Sequence, residues 1–207
     1  MSEQIIISIG REHGSLGHEI AVRLAKSLGY DLYDRDILNQ IAESGDSNVD
    51  PDKMKKYDER PRRVLSSRVV NGYSNSLEDI VAEKVFDYEK KLADSGKSFV
   101  IVGRCADYIL QDYPGLVSIF IQADEGAKVK HIMSSRNKDE KDAVKEIHDV
   151  DRNRRRYHNH YAGSGWKDIN NYDLILNSSR LGLDGTIDII KEYVNLKQSH
   201  STGSFPE

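Results

Sequence analysis

The chain has almost no cysteine. Cys105 is the 1 cysteine among 207 residues, so an internal disulfide framework and a multi-cysteine metal site are both excluded. Proline is scarce too, at 4 residues, and with 38% hydrophobic and 31% charged residues the composition argues against global disorder. Long hydrophobic runs are missing: Ile5-Ile6-Ile7 is far too short for a signal or membrane segment. The expectation is a soluble, cytoplasmic protein without a membrane partner. A surplus of positive charge is also missing. With 30 Lys+Arg against 34 Asp+Glu the formal net charge is −4, which excludes a non-specific nucleic-acid coat. The arginines are nevertheless clustered, with Arg60, Arg62, Arg63 and Arg68 in one stretch and Arg152, Arg154, Arg155 and Arg156 in another. That distribution permits a compact site for a few phosphates.

What is present is a regular alternation of strand and helix patterns. Gln4 to Ile9 is a β-branched run, the signature of a buried parallel strand. After Gly10 the helical pattern starts at His18, with Ile20, Leu24 and Leu28 one turn apart, and Gly29 supplies the stop. Further strands are predicted at 30–33, 98–102, 116–121 and 172–176. A helix carries Leu77, Ile80, Val81, Val85, Tyr88 and Leu92 on its apolar side, a long one runs from about Lys138 to Tyr161, and a closing one from Thr186 to Leu196. The expected fold is α/β: a parallel sheet with helices on both faces. Residues 1–197 are expected to form one domain, with a helical insertion at about 39–95, a lid at about 136–165 and a frayed tail from 198.

Gly10, Gly14 and Gly17 lie between the first strand and the first helix. Glycine lets backbone approach an anion, and exposed N–H groups with the helix dipole stabilise its charge. The spacing fits an ordinary strand-to-helix turn equally well. The strict G-x-x-x-x-G-K-[ST] signature is absent. With Gly17 as the last glycine, His18 takes the lysine slot and Glu19 the hydroxyl slot, removing a point charge and the usual Mg²⁺ ligand.

The stretch from Ile7 to Ile20, with Gly10-Arg11-Glu12-His13-Gly14-Ser15-Leu16-Gly17-His18-Glu19 at its centre, resembles the opening of the cytidylate kinase-like branch of the P-loop nucleotide kinases. Leu16 replaces a glycine of that pattern and His18 an arginine, which weakens the case for strong γ-phosphate binding. Val100-Ile101-Val102-Gly103-Arg104-Cys105-Ala106-Asp107-Tyr108-Ile109-Leu110 is the most specific further match, and Asp151-Arg152-Asn153-Arg154 is similar to the family's D-R-x-R. Tyr33-Asp34-Arg35-Asp36, Trp166-Lys167-Asp168 and Tyr172-Asp173-Leu174 follow the same pattern, so the resemblance spans roughly residues 4–194.

The resemblance implies a P-loop kinase-type fold and transfer of the ATP γ-phosphoryl group, with Mg²⁺, to a nucleoside monophosphate, CMP or dCMP first. It places Gly10, Arg11, Gly14, Ser15, Leu16, Gly17, His18 and Glu19 at the ATP phosphates. Asp34, Arg35, Arg104 and Asp107 fall on the acceptor side, and Arg104, Arg152 and Arg154 are the catalytic cations. Each has a plainer reading. Arg104 fits a structural ion pair, Asp34 a helix cap and Asp107 a solvated helix start. Spacings of three and four from Asp151 predict that Arg154 or Arg155 pairs with that carboxylate. His148, His158 and His160 lack metal-ligand spacing, so no protein metal ligands are expected, and Cys105 reads as packing. Nucleotide substrates are the expected partners; nucleic acid is not, and a homodimer is left open. Two other functions compete: a non-catalytic nucleotide-binding module on the same scaffold, or a kinase for a different small acceptor. A nucleic-acid binder using the arginine-rich stretches ranks below both.

Overall fold

The structure, a computed structural model, describes residues 4–34, 41, 69–70, 73–74 and 76–199. Arg35, the Arg60–Arg68 cluster and most of the expected insertion lie outside the described residues, as does the tail from 200. Five parallel strands form the sheet: β1 (Ile6–Arg11), β2 (Asp31–Tyr33), β3 (Phe99–Val102), β4 (Leu116–Gln122) and β5 (Leu174–Asn177). Their order is β2-β3-β1-β4-β5, so β1 lies at the centre and the chain crosses over it between β3 and β4. Ligands of open α/β sheets bind at such a reversal, beyond the carboxyl ends of the strands.

Alternate residues of the strands feed two cores, as a parallel sheet covered on both faces requires. Ile5, Ile7 and Ile9 join Val100, Val102, Val117, Ile119 and Ile121 against α1 (Gly17–Leu28) and α6 (Ser178–Ser199). Ile6, Phe99, Ile101 and Leu116 face the other way, against α2 (Leu77–Asp94) and the short α3 (Ala106–Ile109). Helix α1 ends as predicted: Gly29 is left-handed at φ 68°, and the Tyr30 N–H donates to the Ala25 carbonyl at 2.9 Å.

Three details depart from expectation. The sequence pattern did not mark α4 (Glu125–Arg136), which pairs with α5 (Glu140–Tyr161) through Val129, Ile132, Ala143 and Ile147. Leu77 is exposed at the start of α2, where Ser76 caps the helix by accepting from the Asp79 N–H, and Asp79 and Glu89 take buried places on the packed face. The closing helix begins at Ser178 rather than 186, bends at Gly182 (φ 70°, ψ 173°), and continues to Ser199. No helix among the described residues is long and apolar enough to cross a membrane.

Candidate functional site

The loop from Glu12 to Leu16 joins β1 to α1 at the sheet's carboxyl edge. Gly14 is left-handed (φ 81°), and a side chain there would press on the Lys128 carbonyl at 3.1 Å. Leu16 also holds a left-handed conformation (φ 60°, ψ 10°) and caps α1, a conformation that ordinarily falls to glycine. Leu16 therefore stands in the place of the loop's last glycine. Gly17, which opens the helix, stands in the lysine's place, and His18 in that of the hydroxyl residue. This moves the expected assignment by one residue. Ser15 ties the turn together: its Oγ donates to the Glu12 carbonyl at 2.8 Å, while its own carbonyl accepts from Ser178 Oγ at 2.7 Å.

A cavity of about 440 Å³ opens over this loop, bordered by Arg11, His13, Gly17, His18, Asp34 and Arg136 among others. His18 Nδ1 meets Asp34 Oδ2 at 2.9 Å, which draws the two residues together across the cavity mouth. Glu19 turns to Arg23 one helical turn on, at 2.8 Å. Helix α5 holds the loop from the other side. Asp151 Oδ1 accepts the His13 backbone N–H at 2.7 Å, and Glu146 Oε1 meets His13 Nε2 at 2.7 Å. Glu146 also holds Arg136 and Lys138, each at 2.7 Å. Burial lowers the His13 pKa despite the Glu146 contact, and burial raises that of Asp151 despite the N–H it accepts.

Glu12 is the residue that motif reading missed. Its carboxylate is buried and accepts from Lys128 Nζ at 3.0 Å, from Lys167 Nζ, and from the Ala123 N–H at 3.3 Å. Burial alone would raise its pKa, but the two lysines and the amide outweigh it and keep the carboxyl below its usual range. Lys167 also lies over Phe120 and Trp166, with Nζ 6.0 and 5.8 Å from the ring centroids. Those rings meet edge to face at 5.2 Å, and Tyr172 completes the cluster by donating its hydroxyl to the Trp166 carbonyl at 2.7 Å. Gly10 is required beneath it, since a Cβ there would lie 2.9 Å from Phe120 Cδ2.

A second, much smaller space of about 20 Å³ lies between Gly10, Gly103, Arg104, Arg154, Trp166 and Tyr172. It is large enough for about one water. Arg104 and Cys105 reach it from a left-handed turn (φ 62° each) after β3, and both are buried. Asp107 Oδ2 meets His158 Nε2 at 2.7 Å in a buried pair, so Asp107 is anchored to α5 and is not a solvated helix start. His158 had no role in the sequence reading.

The four arginines of α5 divide. Arg154 donates from Nη1 to the Arg11 carbonyl at 3.2 Å and borders both cavities. Arg152 is exposed and pairs with Asp149 at 2.6 Å, one turn along the same helix, so the structure does not bring this expected catalytic cation to the cleft. Asp151 accepts its hydrogen bond from the loop backbone, and of the arginines that follow it Arg154 acts on its carboxylate through charge. Among the described residues no group of three or more His, Cys, Asp or Glu side chains can hold a metal ion.

The model of the cytidylate kinase-like family matches residues 6–180. An uncharacterized protein from Eubacterium ventriosum is 32% identical, with a TM-score of 0.73 over 93% of this chain and 99% of that one. Shikimate kinase from Bacteroides thetaiotaomicron is 11% identical, with a TM-score of 0.54 over 92% and 98% of the two chains. Shikimate kinase from Acinetobacter baumannii, solved in complex with shikimate, is 9% identical with a TM-score of 0.51 over 98% and 97%. The two shikimate kinases share the fold alone. No curated protein matches.

Proposed function

This chain belongs to the cytidylate kinase-like family, and we propose from that premise that it transfers the γ-phosphoryl group of ATP to a nucleoside monophosphate, CMP or dCMP first. One observation carries the reading. Arg11 and Arg154 border both the cavity over the glycine loop and the small one at Arg104. Phosphoryl transfer asks a protein for alignment and positive charge, with little covalent chemistry. In this arrangement ATP lays its phosphates along the N–H groups of Gly14, Leu16 and Gly17, while Asp151 and the Glu12 carbonyl hold those of His13 and Ser15 and so fix the loop. The acceptor phosphate meets the Arg104 guanidinium, whose planar fork suits two phosphate oxygens. Arg154 faces the group in transit. The space at Arg104 is too small for a nucleotide, so acceptor entry requires α5 and the Trp166 segment to move outward. Segment 136–165 then acts as the lid. Magnesium arrives with the nucleotide as MgATP, a form that keeps several of its waters.

Gly17 in the lysine's place and the buried carboxylate of Glu12 favour the second reading, a nucleotide-binding module without turnover. ADP release, measured across nucleoside monophosphates and other small acceptors, separates the readings. Turnover with CMP or dCMP is the expected result. Turnover with another acceptor keeps the kinase and replaces the substrate, whereas nucleotide binding without turnover on any acceptor selects the module.

A further inference from the structure

We propose a further activity, hydrolysis of ATP: while no acceptor is bound, the small space at Arg104 holds one water, and His158, oriented by Asp107, takes a proton from it as its oxygen attacks the γ-phosphate. The inference rests on the nucleotide-binding part of the function proposed above. His158 is 4% exposed and borders the space together with Arg104, Asp107 and Arg154. Its Nε2 meets Asp107 Oδ2 at 2.7 Å, and its other ring nitrogen, Nδ1, is buried with no hydrogen-bond partner among the described residues. Buried polar atoms are ordinarily paired, so a nitrogen left over at the edge of a space asks for an occupant. A ring that gives its Nε2–H to a carboxylate carries a lone pair on Nδ1, and the carboxylate fixes both that tautomer and the orientation of the ring.

Size and chemistry point to the same occupant. About 20 Å³ admits one water and nothing larger, and a lone pair on Nδ1 calls for the O–H that water supplies. Arg154 borders this space and the loop cavity alike, so an oxygen in one and a γ-phosphate in the other meet at one side chain. In the step, the water oxygen bonds to the γ-phosphorus, the bond from that phosphorus to the bridging oxygen breaks, and ADP leaves with the electron pair. One water proton passes to Nδ1 and from there to solvent, while the other stays on the phosphate released. Asp107 balances the imidazolium formed in between. A phosphate monoester is largely ionised at pH 7 and needs no such base, so transfer to a nucleoside monophosphate does not call on this pair. The pair also belongs to the acceptor-free form. His158 lies on α5 and Asp107 on α3, and the outward movement of α5 that admits an acceptor draws them apart.

Phosphate release from ATP by the full chain, measured with no acceptor present, tests this. The unaltered chain is expected to release phosphate that carries one oxygen from isotope-labelled water. His158→Gln keeps a donor for Asp107 but cannot take a proton, so its kcat for hydrolysis is expected to fall about 100-fold while ATP affinity, by calorimetric titration, stays within about threefold. If His158→Gln does not fold by thermal melting, Asp107→Asn, which disturbs the tautomer and keeps the ring, replaces it with the same expected fall. A purely structural role for the pair would lower the melting temperature and leave kcat per folded molecule unchanged, and that result overturns the assignment. ATP binding without phosphate release by the unaltered chain also overturns it, leaving a structural water only. The acceptor screen speaks separately. ADP released with a nucleoside monophosphate, but no phosphate released without one, keeps the kinase and removes the hydrolysis. His158-dependent phosphate release without transfer to any acceptor does the reverse. Absence of ATP binding by the unaltered chain removes both.

Discussion

Glu12 shows how much one loop residue depends on partners the chain brings from afar. Its lysines lie 116 and 155 positions away, so the motif displays an acid in a phosphate loop and nothing that would neutralise it. Glu12→Gln leaves the buried Lys128 ammonium without a counter-charge, and we expect it to lower stability by about 3 kcal/mol in denaturant melts. The pH dependence follows from the lowered pKa of Glu12. Its contribution is present above the ordinary glutamate value of about 4.3 and is lost as pH falls through the lower native value, so Glu12→Gln should flatten the acid limb of a stability profile between pH 7 and 3. Asp107 is a second case, because its buried partner His158 comes 51 positions later. Asp107→Ala strands the imidazole and should cost about 1–3 kcal/mol, measured in the same way. The glycines, by contrast, were legible as loop formers. Which slot each fills was not, because the left-handed turn falls on Leu16, a residue that rarely adopts it.

Among the elements, α5 decides the shape of the loop. Asp151 accepts a loop N–H and Glu146 gathers His13, Arg136 and Lys138, so the helix is both a wall of the cleft and its clamp. Asp151→Ala frees the His13 N–H and is expected to weaken ATP binding about tenfold by titration, roughly the 1.4 kcal/mol of one net hydrogen bond to a charged group. Asp151→Asn keeps an acceptor oxygen and should retain most of the affinity. Within the same helix Arg154→Ala should lower kcat/KM by about 100-fold in the ADP-release assay, whereas Arg152→Ala, losing only an exposed pair, should stay within about twofold. Sequence spacing located this helix and its arginine run, but an aspartate followed by arginines at three and four reads as a local pair. Only the loop packed alongside reveals the other hydrogen bond. Helix α4 escaped the pattern for a related reason. Its buried face mixes Val129 and Ile132 with Lys128, so the apolar periodicity is interrupted where the lysine turns inward to Glu12.

For the molecule as a whole, the sheet is the fixed frame on which these devices hang. Ile119 is fully buried in the central strand layer, and Ile119→Ala should cost about 2–5 kcal/mol through lost burial and the cavity left behind. The net charge of −4 predicts no measurable affinity for duplex DNA at physiological salt, and an affinity that falls steeply with added salt would contradict it. Strands and most helices were readable along the chain because burial on both faces demands unbroken β-branched runs such as Ile5-Ile6-Ile7 and Phe99-Val100-Ile101-Val102. The sequence by itself determined the alternation of strand and helix, the glycine loop after β1 and the cluster of arginines on one helix, since each is set by neighbours a few residues away. The tertiary structure alone decided which arginine faces the cleft and which lysines neutralise Glu12. Those choices depend on side chains that meet across crossovers of 100 residues or more, and one-dimensional spacing carries no record of them.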